Sequence, residues 1–168
     1  SIVIIGMGGS GIPGDLLQSL LSQTKIPIFV VRDYKVPNFV DEYTLVFSIS
    51  YSGNTEETIE ATKDARQKGA QVMGITSGGE LPEHCEKTIS IPKGLQPRAA
   101  LGFLFFPIVG VLYNSNLIEI ANQDLNEMLT LLQNKDPLKA EAEEIAKKIQ
   151  GKYPLIYGSN TFAPVAMR

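Results

Sequence analysis

The chain is poor in the residues that usually build a metal centre, a disulfide or a nucleic-acid surface. Its 168 residues include one cysteine and one histidine. Cys85 alone can form no internal disulfide, and no basic-then-apolar leader opens the chain, so a reducing, cytoplasmic setting is expected. Its neighbour His84 suggests a metal pair. Metal centres need three or four ligands, and with no other Cys or His in the chain no metal site is expected; His84 reads as a surface residue.

Excess positive charge is also missing. The 15 Lys and Arg stand against 18 Asp and Glu, a net charge of −3 that excludes the basic footprint of a DNA or RNA binder. Long apolar runs are missing too. Ala99 to Tyr113 is the longest, and it is interrupted by Gly102, Pro107 and Gly110 and falls short of the roughly 20 residues a membrane span needs. It reads as a buried helix.

What remains is 43% hydrophobic, enough for one full core plus a small extra element. Short unalternated apolar runs at Ile2 to Ile5, Ile28 to Val31, Leu45 to Ile49, Val72 to Ile75 and Thr88 to Ile91 suit strands buried on both faces. Helix-like segments lie between them at Pro13 to Gln23, Thr55 to Lys68 and Leu81 to Cys85. In the second, helical spacing gathers Ile59, Ala61, Thr62 and Ala65 on one face. This alternation predicts an α/β class, a doubly wound five-stranded parallel sheet flanked by helices in the flavodoxin-like order 2-1-3-4-5.

Helices then follow at Arg98 to Asn114, Glu119 to Gln133 and Pro137 to Ile149, the last with Pro137 in its first turn. The charged stretch Lys139 to Lys148 reads as a solvated helix face. From Leu155 the strand-then-Gly/Ser plan of residues 2–11 returns, in Leu155-Ile156-Tyr157-Gly158-Ser159. The expected organisation is therefore one domain over residues 1–150, with residues 151–168 as the first strand and helix start of a second, related domain in a longer protein.

Two loops carry the chemistry. Gly6-Met7-Gly8-Gly9-Ser10-Gly11 follows the first strand, and Ser48-Ile49-Ser50-Tyr51-Ser52-Gly53-Asn54-Thr55 closes the third. In a 2-1-3-4-5 sheet these strands are neighbours whose helices leave on opposite faces, which opens a crevice at their carboxyl ends. Glycines let a backbone approach an anion, hydroxyls donate to it, and helix N-termini add positive potential. Neither loop contains lysine, which suits a monophosphate that must bind and leave readily. A capping box of Asn54 with Glu57 is expected at the second helix. It does not account for three hydroxyls within six residues.

A rival reading of the first loop remains open. Gly6-x-Gly8-x-x-Gly11 after a strand, with Asp33 ending the next strand, matches a dinucleotide fingerprint and would make the chain an NAD(P)-dependent oxidoreductase. A kinase-type phosphate loop lacks its Gly-Lys-Ser/Thr triplet.

Ser50-Tyr51-Ser52-Gly53-Asn54-Thr55-Glu56-Glu57-Thr58 resembles the signature loop of SIS (sugar isomerase) domains, and Gly8-Gly9-Ser10-Gly11 with Leu95-Gln96-Pro97-Arg98-Ala99-Ala100-Leu101-Gly102 resembles the bifunctional phosphoglucose/phosphomannose isomerases within them. The resemblance implies two SIS domains per subunit, a homodimer, no metal or organic cofactor, and a sugar phosphate as substrate. Glucose 6-phosphate or mannose 6-phosphate would be interconverted with fructose 6-phosphate through an enediolate. It also implies roles: Ser50, Ser52 and Thr55 on the phosphate, Gly9 and Ser10 lining the substrate, and Arg98 stabilising the enediolate near C1 and C2. The family's base glutamate and ring-opening histidine match no residue up to Arg168. A non-catalytic SIS module that senses a phosphosugar is the alternative within the same resemblance.

Overall fold

Five short apolar segments pair in parallel as one sheet, β1 (Ile2–Ile5), β2 (Ile28–Val31), β3 (Leu45–Ile49), β4 (Gln71–Thr76) and β5 (Lys87–Ser90), in the order β2-β1-β3-β4-β5. The computed structural model describes residues 1–159 and 162–167, leaving aside the side chains of Pro97 and Arg98. The strand order is the one the sequence predicts, with the reversal of winding between β1 and β3. Three strands keep their expected bounds, while β4 gains a residue at each end and β5 lies one residue earlier.

Side-chain alternation assigns the two faces. Val3 and Ile5 of β1, with Val46 and Val72, gather in one core cluster with Ala61 and Ala65 of α2 (Glu56–Gln67). The opposite face belongs to α1 (Ile12–Leu20), where a Cβ added at Gly14 would stand 2.9 Å from both Ile4 and Val30. Gly14 therefore lets α1 settle directly onto β1 and β2. Consecutive helices thus cover opposite faces, which is the arrangement that opens a crevice at the β1/β3 boundary.

Other helices differ at their ends. Residues Leu81–His84 form a 3-10 turn containing Pro82 rather than an α-helix. The segment from Arg98 divides into a 3-10 turn, Pro97–Ala100, and α3 (Leu101–Asn114), whose Leu104 and Ile108 are buried.

The chain separates into two compact units, residues 1–111 with 158–168, and residues 112–157. In the first, α6 (Ala163–Met167) packs against α1. The second holds α4 (Asn122–Gln133) and α5 (Lys135–Ile149), neither with a buried residue. Helix α4 starts later than expected, and α5 starts two residues before Pro137, still leaving the proline in the first turn, where its missing N–H costs nothing. Residues 139–148 are exposed throughout, as a solvated charged face requires.

The expected strand from Leu155 does not form: residues 153–159 have no regular structure, and Leu155 is 79% exposed. A strand needs a neighbour to take up its N–H and C=O groups, and among the described residues no strand is paired with this segment. Among the described residues, no helix is long and apolar enough to cross a membrane.

Candidate functional site

Backbone geometry shapes the first loop. Gly6 continues the sheet by donating to the Val31 carbonyl (3.1 Å), and the chain then curls through a 3-10 turn over Gly8–Ser10. Side chains are excluded from its inside: a Cβ at Gly6 would stand 2.5 Å from the Ser10 carbonyl oxygen, and one at Gly11 would stand 2.6 Å from that of Gly6. Gly9 is left exposed and Ser10 half-buried, on the outer lip of the turn. Helix α1 begins right after Gly11, with no side chain capping its first amides.

The second loop is tied by its own hydroxyls. Ser50 is 1% exposed, and its Oγ accepts the Gly53 N–H (3.0 Å) and pairs with Thr55 Oγ1 (2.9 Å). Ser52 is exposed and its Oγ accepts the Asn54 N–H at 3.3 Å. The three hydroxyls therefore differ in place: Ser52 and Thr55 reach the surface, while Ser50 holds the loop from beneath.

The expected capping box is not formed. Thr55, not Asn54, is the N-cap of α2, and no side chain caps the helix. Asn54 Oδ1 is instead taken by the Glu80 N–H (3.0 Å), and Thr55 Oγ1 by Ser50. Both hydroxyl and amide have been drawn away by the loop's tertiary contacts, so the first amides of α2 remain open to an anion.

A third segment, residues 76–81, braces the second loop, and the sequence reading overlooked it. The Gly53 carbonyl accepts the N–H groups of Glu80 (3.0 Å) and Leu81 (2.9 Å), and the Tyr51 carbonyl accepts the Ser77 N–H (3.0 Å) and the Ser77 hydroxyl (2.7 Å). Gly53 has φ +73°, and a Cβ there would lie 1.7 Å from the Gly78 carbonyl oxygen. Gly53 thus answers both a left-handed turn and a close approach of two backbones. The Lys93 ammonium lies over Gly78, 3.3 Å from the point a Cβ would occupy, and supplies a cation beside loops that have none of their own. The signal was readable as Ser77-Gly78-Gly79, a third Gly/hydroxyl stretch directly after a strand.

The two predicted loops follow adjacent strands, with Ile5 in register with Ser48, so both open at the same end of the sheet. The Gly8–Ser10 turn also lies against the Pro97–Ala100 turn. That brings the backbone carrying Arg98 to the first loop; the Arg98 side chain lies outside the described structure.

Other sequence candidates stand apart. The Asp33 carboxylate accepts the Tyr34 N–H at 2.6 Å and so closes its own turn. Next to it the Arg32 guanidinium lies against Gly11 and pairs with Asp15. His84 Nε2 pairs with Glu80 Oε1 (2.9 Å), and this hydrogen bond lowers the Glu80 carboxyl below its usual value. Burial pushes the Cys85 thiol up to about 11, the behaviour of a packed rather than a reactive cysteine. Among the described residues, no three His, Cys, Asp or Glu are grouped to hold a metal ion.

Comparison with known proteins decides the family. The SIS domain family matches residues 1–105. The chain belongs to the SIS domain family. It is 45% identical over 170 residues to the bifunctional phosphoglucose/phosphomannose isomerase of Thermoplasma acidophilum, a match covering 100% of the chain and 53% of that protein. It is 37% identical over 172 residues to the D-glucosamine-6-phosphate 4-epimerase of Sulfolobus acidocaldarius, covering 99% of the chain and 54% of the relative. The chain spans about half the length of the curated relatives it matches. Its SIS fold superposes on the C-terminal domain of glucosamine-fructose-6-phosphate aminotransferase from Francisella tularensis with a TM-score of 0.65 at 20% identity, covering 98% of this chain and 52% of that one.

Proposed function

We infer that this SIS domain belongs to an aldose-ketose isomerase that interconverts glucose 6-phosphate or mannose 6-phosphate with fructose 6-phosphate. The observation that carries this reading is the pairing of two uncharged, Gly- and hydroxyl-rich loops at one switch point, in a chain 45% identical to an enzyme of that name. The phosphate sits on the uncapped start of α2, contacted by Ser52 and Thr55, with Ser50 fixing Thr55 from below. Gly9 and Ser10 line the sugar from the β1 side. The loops bind by amides and hydroxyls, so affinity stays moderate and product can leave.

Isomerisation moves a proton between C1 and C2 through a cis-enediolate, which needs a base, an acid to open the ring and a fixed positive charge for the developing oxyanion. Arg98 supplies that charge. Its turn precedes α3, where a helix dipole disfavours a cation, so the arginine is placed against local preference and gains its support from the substrate. Base and ring-opening acid are assigned to no residue of this chain. Residues 151–168 are the opening of a second SIS domain, and the active form is a cytoplasmic homodimer that needs no cofactor.

The test is turnover by the full-length protein. Fructose 6-phosphate should form from both glucose 6-phosphate and mannose 6-phosphate. No turnover of either overturns the isomerase reading. A rise in melting temperature with sugar phosphates alone would then mark a phosphosugar sensor, epimerisation of glucosamine 6-phosphate the other relative's chemistry, and a rise with NAD the oxidoreductase.

A further inference from the structure

Between buried Ser50 and exposed Ser52 stands Tyr51, whose backbone and side chain hold on to different parts of the domain. Its carbonyl is fixed to the segment after β4 by the Ser77 N–H (3.0 Å) and Ser77 Oγ (2.7 Å). Its phenol leaves the loop altogether: the O–H donates to the Pro92 carbonyl (3.1 Å) and accepts the Leu95 N–H (2.8 Å). One phenol has one proton to give and lone pairs to receive, so the two bonds use both of its functions at once. The ring between them is stiff, with two side-chain torsions.

The segment so held is the approach to Arg98. Pro92, Lys93 and Gly94 are exposed, and Gly94 stands at φ +82° with open space around it, so local packing does little to fix this stretch. Leu95 precedes the Pro97–Ala100 turn, and that turn lies against Gly8–Ser10. Tyr51 is therefore the tie from the phosphate loop to the turn that bears the positive charge.

We propose that Tyr51 is a positioning residue, a strut by which a phosphate seated on residues 50–55 orders residues 92–96 and sets the Arg98 turn. The proposal rests on the phosphosugar reading above. Phosphate contacts at Ser52 and at the α2 amides stiffen the peptide on either side of Tyr51, and the phenol passes that order to Pro92 and Leu95. Tyr51 itself touches no substrate.

Hydrogen exchange by mass spectrometry on the full-length protein tests this, with and without millimolar glucose 6-phosphate, in the wild type and Tyr51→Phe. Phenylalanine keeps the ring and removes only the two hydrogen bonds. In the wild type the sugar phosphate should slow exchange in both residues 50–58 and residues 92–96. In Tyr51→Phe the first protection should remain, which also shows the variant folded, while the second disappears and the Leu95 amide exchanges about tenfold faster. Turnover should fall about tenfold to a hundredfold in kcat with KM within about twofold, since the phosphate loop itself is intact. Coupled protection and kcat unchanged in Tyr51→Phe overturn the strut and leave the phosphosugar reading standing. Loss of both protections overturns it too, because Tyr51 would then be propping the phosphate loop rather than linking it. Absence of protection at residues 50–58 in the wild type removes the phosphosugar reading and the strut together.

Discussion

Ser50 Oγ and Thr55 Oγ1 stand 2.9 Å apart, one hydroxyl buried and the other at the surface. Ser50 Oγ also accepts the Gly53 N–H, and when Ser50 donates its proton to Thr55 Oγ1 the Thr55 proton is left for a ligand. On the proposed phosphosugar reading the two act as a unit on a phosphate. Ser50→Ala and Thr55→Ala should each weaken glucose 6-phosphate binding, and the double variant should lose less than the sum, with a coupling of about 0.5–3 kcal/mol. Calorimetric titration of the four proteins gives the cycle. Strictly additive losses would show that the pair does not work through its shared hydrogen bond.

Two glycines with similar backbone angles should respond very differently to alanine. A Cβ at Gly53 (φ +73°) would lie 1.7 Å from the Gly78 carbonyl oxygen, whereas one at Gly94 (φ +82°) would meet nothing within 4 Å. Alanine at 94 meets only the left-handed backbone penalty, about 1–2 kcal/mol. Gly53→Ala must also push two loops apart and should destabilise by roughly 3 kcal/mol or more. Urea midpoints compare them. Equal losses would mean that the 50–55 and 76–81 loops are not locked together.

The contrast also shows what a linear sequence discloses. Buried parallel strands announce themselves as unbroken apolar runs, so Ile2–Ile5, Ile28–Val31 and Leu45–Ile49 were legible to the residue, and with them the switch point. Hydroxyls and glycines after β1 and β3 were legible as two loops that open at the same end of the sheet, for the same topological reason. Tertiary competition was not. Asn54 and Thr55 carry the right chemistry for a cap, yet the Glu80 amide and the Ser50 hydroxyl claim them first, across 26 residues in one case. Leu155 to Tyr157 has strand composition but no neighbour, and pairing, unlike propensity, is not a local property.

Asp64 and Lys68 close on the backbone of one buried residue, Val36. Asp64 Oδ2 accepts the Val36 N–H (2.9 Å), and Lys68 Nζ donates to the Val36 carbonyl (2.9 Å) and to Asp64 Oδ2 (3.0 Å). Burial pushes the Asp64 carboxyl up, but the hydrogen bonds from Lys68 and the Val36 amide outweigh it, and the group is held below its ordinary value. A carboxyl depressed on folding contributes stability that is fully present above its unfolded value near 4 and is lost as pH falls through the folded one. Asp64→Asn should therefore cost about 1–3 kcal/mol at pH 7, and the gap to wild type should narrow below about pH 4. Urea unfolding at pH 7 and pH 3 measures both. A gap that stays constant would place the stabilisation in packing rather than in the ionised carboxylate.

Ser52 and Arg98 should fail in different kinetic parameters. Ser52 is exposed on the loop proposed to hold the phosphate, where binding is the same in ground state and transition state, so Ser52→Ala should raise KM by the worth of one charge-assisted hydrogen bond, about 1–3 kcal/mol, with kcat nearly unchanged. The turn that carries Arg98 lies beside Gly8–Ser10, and the proposed function gives Arg98 the charge that develops only in the enediolate. Arg98→Ala should therefore lower kcat by about a hundredfold to a thousandfold, the scale of one preorganised oxyanion partner, with a smaller effect on KM. Steady-state kinetics of both variants in the full-length protein separates the roles. An Arg98→Ala enzyme with normal kcat and a raised KM would move the arginine from the reacting carbons to the phosphate, and leave the enediolate without a partner in this domain.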